Sequence, residues 1–86
     1  MNNKLYISGL SIITDESILK EGFSPFGLIK EIKIIYDRST GYSKGFAFIT
    51  FSTEEEALLA EKMMNERNFD GRVLKVSIAK DHIIKN

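Results

Sequence analysis

Cysteine and tryptophan are absent, proline and histidine occur once each, and neither sign of charge is in excess, with 12 Lys and Arg against 12 Asp and Glu. The missing cysteine removes a disulfide framework, a zinc knuckle, a CxxC metal carrier and any thiol nucleophile together. It leaves the compartment open, a reducing one included. A long hydrophobic run is missing too. The longest uncharged stretch, residues 5–14, is far shorter than the roughly 18 apolar residues that span a bilayer and carries no small-residue cleavage site. No membrane partner is therefore expected. If Met1 is the native start, a cleaved transit peptide is excluded and the nucleus or cytoplasm is expected; an excised fragment leaves an organelle open. The single histidine, His82, sits in a charged C-terminal stretch beside Asp81 with no base or nucleophile held in hydrogen-bond geometry, so a solvated tail residue is expected and a catalyst is not.

A chain of 86 residues accommodates one domain and no second core. At this length folding buries only about 60% of the surface of the unfolded chain, so the 43% apolar content has to form a compact, regular core. The zero net charge argues against a nucleic-acid partner until its distribution is considered. Residues 28–51 and 71–86 are net positive, whereas residues 52–70 are strongly negative and residues 1–27 weakly so. The charge is polarised.

Apolar periodicity repeats a strand, helix, strand plan twice. In residues 4–8 (KLYIS) Leu5 and Ile7 share one face and Tyr6 and Ser8 the other. Thr14 or Asp15 can cap a helix with the stripe Leu19, Phe23 and Phe26, ended by Pro25 and Gly27. Ile32 and Ile34 form the inner face of a second strand, closed by a turn-rich loop at residues 37–41. Residues 44–51 (KGFAFITF) are the most strand-like segment. Ser52 and Thr53, with Glu55 and Glu56 three residues on, give overlapping capping boxes for a helix over residues 54–65 with Ala57, Ala60 and Met64 inward. Residues 68–71 predict a turn, and Leu74, Val76 and Ile78 alternate with Lys75, Ser77 and Ala79 in a last strand. The expected fold is α+β: a two-layer ferredoxin-like sandwich, βαββαβ, with a four-stranded sheet and two helices on one face. The other face is left open for function.

Parity decides which aromatics lie on that open face. Lys44, Phe46, Phe48, Thr50 and Ser52 share one side of their strand, and Gly45, Ala47, Ile49 and Phe51 share the other. A buried unpaired Lys is rare, so Phe46 and Phe48 belong outside with Tyr6, and Lys4 stands at the rim. Three exposed aromatics flanked by lysines suit bases stacking on rings and phosphates meeting ammonium groups.

With these residues in place, the chain over residues 4–80 resembles an RNA recognition motif, residues 81–86 forming a tail. The family octamer is met by Lys44, Gly45, Phe46, Ala47, Phe48, Ile49, Thr50 and Phe51, and the hexamer by Leu5, Tyr6, Ile7, Ser8, Gly9 and Leu10. The resemblance implies an antiparallel sheet whose two central strands carry these motifs and stack two or three bases. It implies that Tyr6 and Phe48 each stack one base, that Phe46 lies against the sugars between them, and that Lys44 meets a phosphate. Lys33, Ile35, Lys75, Ser77, Ala79 and Lys80 match positions used for neighbouring nucleotides. Single-stranded RNA is then the expected partner, with single-stranded DNA admitted in vitro, a monomeric state, and neither cofactor nor metal. Four positions depart from the pattern: Gly9 where Asn is frequent, Tyr42 at a loop site usually basic, Glu66 where a helix-ending Gly is usual, and Glu31 on the outer face.

Two other classes compete. A protein-interaction domain would use the sheet face or the acidic second helix, and loss of the aromatics would have favoured it. An acylphosphatase-like enzyme on the same plan would need an Arg after the first strand, and residues 9–14 contain none. Residues 41–45 lack the GxxxxGK[ST] order of a phosphate loop and lead into a strand rather than a helix.

Overall fold

The computed structural model describes residues 2–79; Lys80, His82 and the rest of the expected tail lie outside the described residues. Strand β1 is Lys4–Ser8, helix α1 is Glu16–Phe23 followed by a 3₁₀ turn at Ser24–Phe26, β2 is Ile29–Tyr36, β3 is Ser43–Phe51 and helix α2 is Glu54–Met64. Two short strands, β4 (Asn68–Phe69) and β5 (Arg72–Val73), precede β6 (Lys75–Ile78). The main sheet is antiparallel in the order β2-β3-β1-β6, so the two motif-bearing strands lie side by side at its centre. The βαββαβ plan holds, with one addition: the expected turn at residues 68–71 is the tip of a small β4–β5 hairpin in which Asp70 and Gly71 both have positive φ. No helix among the described residues is long and apolar enough to cross a membrane.

Alternation along the central strands builds the core. Leu5, Ile7, Ala47, Ile49 and Phe51 point to the helix side and are fully buried, and Leu19, Phe23, Ala57, Ala60 and Leu74 meet them. Phe23 packs edge-on against Phe26 at 6.4 Å and Phe69 at 6.0 Å. Phe26 thus joins the core from the 3₁₀ turn rather than from α1, because Pro25 lacks the N–H that would continue the helix. Gly22 lies where a β-carbon would stand 2.2 Å from the Phe69 ring, so it accommodates the close approach of the β4–β5 hairpin. Ala79, expected in the last strand, lies one residue beyond β6, although its N–H still donates to the Lys4 carbonyl at 2.8 Å.

Capping sorts the alternatives left open by the sequence. Asp15 caps α1, its carboxylate accepting from the Ile18 N–H at 2.9 Å, while the buried Thr14 hydroxyl donates to Asp70 at 2.6 Å and ties the β1–α1 loop to the hairpin. At α2 the box is Thr53 with Glu56, each accepting from the other's backbone N–H, and Ser52 donates its hydroxyl to the same Glu56 carboxylate. Helix α2 then shields a sheet edge. The outward N–H groups of Val76 and Ile78 donate to Asn65 Oδ1 at 2.9 Å and Glu61 Oε2 at 3.2 Å, so this edge strand is not left as a template for another chain.

Two carboxyl groups are held below their ordinary range. The Ser52 hydroxyl chiefly lowers Glu56 from 4.5, and the Ser39 and Thr40 backbone N–H groups chiefly lower Asp37 from 3.8. A carboxyl lowered on folding contributes stability that is full above its unfolded value and lost as pH falls through its folded value. Wild-type stability is therefore expected to hold above about pH 5 and to decline below about pH 4.5. Glu56→Gln should be less stable at neutral pH and show a smaller acid decline, measured by urea melts at both ends.

Candidate nucleic-acid interface

The face of the sheet away from the helices is built from ordered cross-strand rows. Lys33 pairs with Phe48, Phe48 with Tyr6 and Tyr6 with Ser77, so one row crosses all four strands. The next row toward one end holds Glu31, Thr50 and Lys4; the next toward the other holds Phe46, Ser8 and Lys75. With strands about 4.8 Å apart, the central row is roughly 14 Å wide. The Tyr6 ring lies 5.4 Å from Phe48 and 5.9 Å from Phe46, tilted by 50° and 47°. All three rings are half-buried, and the Lys4 ammonium stands 5.7 Å from the Phe48 ring. An apolar platform with cations beside it, rather than a closed cavity, is the result.

The expected outward parity of Phe46 and Phe48 holds across an irregularity. Between Ile34↔Ala47 and Tyr36↔Ser43 two residues of β2 oppose four of β3, and Gly45, at a φ of 87°, takes up the difference. Two extra residues leave the alternation in step: Ser43, Ala47, Ile49 and Phe51 are buried, while Lys44 is exposed. Lys44 stands near the β2–β3 loop, its charge adding to the lowering of the Asp37 carboxyl. Asp37 Oδ1 accepts from Ser39 and Thr40, and the Asp37 N–H donates to the Tyr42 carbonyl, which fixes the hairpin carrying Lys44. Tyr42, in the loop immediately before β3, is exposed.

The structure brings Tyr6, Phe46, Phe48, Lys4, Lys33, Lys75 and Ser77 onto one surface. Ile35, half-buried, and Ala79 flank it, and Lys80 lies outside the described residues. Ser8 and Thr50 belong to the same rows. Alternation in the sequence places both on the outer side, although neither is among the site residues it singles out. Among the described residues, no cluster of three His, Cys, Asp or Glu could hold a metal ion.

Comparison with known proteins decides the family. The family model described as RNA recognition motif matches residues 5–75. The chain belongs to the RNA recognition motif family. This RNA recognition motif is 44% identical over 79 residues to the mitochondrial glycine-rich RNA-binding protein 4 of Arabidopsis thaliana, covering 92% of this chain and 58% of that protein. It is 43% identical over 77 residues to the chloroplastic organelle RRM domain-containing protein 1 of Zea mays, covering 90% of this chain and 19% of that protein. Among solved structures, the Sxl-lethal protein/RNA complex matches with a TM-score of 0.87 at 29% identity over 91% of this chain and 48% of that chain. RNA binding protein PG1 matches with a TM-score of 0.86 at 29% identity, covering 91% and 94%. The chain spans between 19% and 58% of the length of these two curated relatives.

Two departures from the family pattern now have physical explanations. Gly9 has a φ of 81°, and a β-carbon there would stand 2.7 Å from the Val73 carbonyl oxygen. Gly and Asn are the residues that enter the left-handed region most readily, which is why either serves at the end of β1 and why the close approach favours Gly here. Glu66 adopts the left-handed conformation itself, with a φ of 64°. The chain leaves α2 through an extended Asn65, and the left-handed Glu66 completes a turn in which the Arg67 N–H donates to the Met64 carbonyl at 3.2 Å.

Proposed function

We propose that the open sheet face of this RNA-binding module takes single-stranded RNA, with Tyr6 and Phe48 each stacking one base, Phe46 against the intervening sugars and Lys44 on a phosphate. The observation that carries the reading is the central row, in which two rings 5.4 Å apart are flanked by Lys33 on one side and Ser77 on the other. Ile35, Ala79 and Lys80 serve the neighbouring nucleotides, and Lys4 and Lys75 lie at the rim. Three to five nucleotides bind with micromolar affinity, because each stacked base contributes about 1 to 3 kcal/mol against the cost of ordering the strand. Duplex RNA binds far more weakly, since its bases are already paired and stacked. Single-stranded DNA offers the same base faces and binds in vitro. Binding, not catalysis, suits a face made of rings and ammonium groups. The mitochondrial and chloroplastic relatives support an organellar setting for a protein carrying this domain.

Salt dependence tests the reading. Each phosphate neutralised on a single strand adds about −0.7 to the slope of log affinity against log salt, so two or three contacts predict roughly −1.5 to −2 despite the zero net charge. Lys44→Ala should lower the slope by one contact and weaken different sequences nearly equally, because phosphates carry no base identity. Glu56→Ala, behind the sheet, should leave the slope unchanged. Titration at several salt concentrations checks this, and a flat wild-type response would remove the lysines from the site.

A further inference from the structure

One ion pair forms among the described residues, and it involves a lysine of the open face. Glu66 Oε2 lies 3.2 Å from Lys75 Nζ. The other lysines of that face among the described residues, Lys4, Lys33 and Lys44, have no such partner. Lys75 ends the row Phe46, Ser8, Lys75, so it stands on the side of the face where a strand with its sugars against Phe46 would pass.

The carboxylate is held there by the backbone. The Glu66 N–H donates to the Leu74 carbonyl at 2.8 Å, and the Leu74 N–H donates to the Arg67 carbonyl at 3.0 Å, with Leu74 fully buried. Glu66 is thereby fastened beside the residue that precedes Lys75. It occupies a left-handed conformation, with a φ of 64°, that strains any residue with a β-carbon and that Gly adopts freely. A strained position thus carries a carboxylate next to a cation of the binding face.

We propose that Glu66 limits RNA affinity by competing with a phosphate for Lys75. The proposal rests on the open-face reading above. Both side chains of the pair are about two-thirds exposed, at 67% and 63%, so the contact is weak and a phosphate displaces it at modest cost. Glu66 therefore acts as a built-in attenuator, not as a block.

The test uses labelled random single-stranded pentaribonucleotides and five variants, the Lys75→Ala background among them. Glu66→Gln keeps the side chain's length and removes its charge; it should raise affinity roughly two- to fivefold and steepen the salt slope by about 0.7. Glu66→Gly should show the same gain and fold at least as well, because it also relieves the backbone. In a Lys75→Ala background Glu66→Gln should give no gain. If the gain persists without Lys75, the carboxylate acts through general charge and the proposal is overturned. It is equally overturned if Glu66→Gln changes neither affinity nor slope while Phe48→Ala still weakens binding. If Phe48→Ala has no effect, the open-face reading itself fails, a result distinguishable from the other two.

Discussion

Phe51→Ala is expected to cost about 3–5 kcal/mol of folding stability. Phe51 is the last residue of β3, points to the helix side and is fully buried among Leu5, Leu19 and Phe23. Its truncation removes a large apolar side chain and leaves a cavity that the surrounding close-packed core can only partly fill. A domain of this length has a total stability of about 4–13 kcal/mol, so the loss is a large fraction of the whole. Urea melts should show a sharply lowered midpoint with an unchanged slope. RNA affinity, measured where the variant is still folded, should be nearly that of the wild type, since the ring is on the opposite side of the sheet from Tyr6 and Phe48.

Phe48→Ala, three residues earlier in the same strand, is expected to do the reverse. Its ring faces outward beside Tyr6 and the Lys4 ammonium and contributes to no enclosed core. Folding should change by about 1 kcal/mol or less, the loss of an aromatic pair at a half-exposed site. Binding of single-stranded RNA should weaken by about 1–3 kcal/mol, equivalent to roughly 5- to 150-fold. Tyr6→Ala should behave similarly. A large stability loss on Phe48→Ala would show that the ring is part of a core, against the face assignment.

These opposite outcomes from two phenylalanines in one strand were legible in the sequence because a strand alternates with a period of two and its polar ends reveal which side is wet. The same alternation marked Tyr6 against Leu5 and Ile7. The helix cores at Leu19, Phe23, Ala57 and Ala60 were equally legible from helical spacing. Other features were not. Asn68 and Phe69 pair with Val73 and Arg72 over only two residues, too few for periodicity to show, and Phe69 is drawn in by Phe23, distant in sequence. The bulge at Gly45 was invisible because two extra residues preserve parity. The capping roles of Asn65 and Glu61 on β6, the Thr14 bond to Asp70 and the Glu66 pairing with Lys75 join segments whose proximity exists only after folding. Phe26 was placed in the wrong element because a helical stripe and a following 3₁₀ turn aim side chains in similar directions.

The most direct measurement of the central claim is residue-by-residue backbone amide chemical shift during titration of the folded domain with random single-stranded pentaribonucleotides. The shifts should concentrate on the outer rows, at Lys33, Phe46, Phe48, Tyr6 and Ser77, and should saturate in the micromolar to low millimolar range. The exposed outer side of α2, at Leu58 and Leu59, should remain unmoved. Shifts confined to α2, or none at millimolar RNA, would contradict the account.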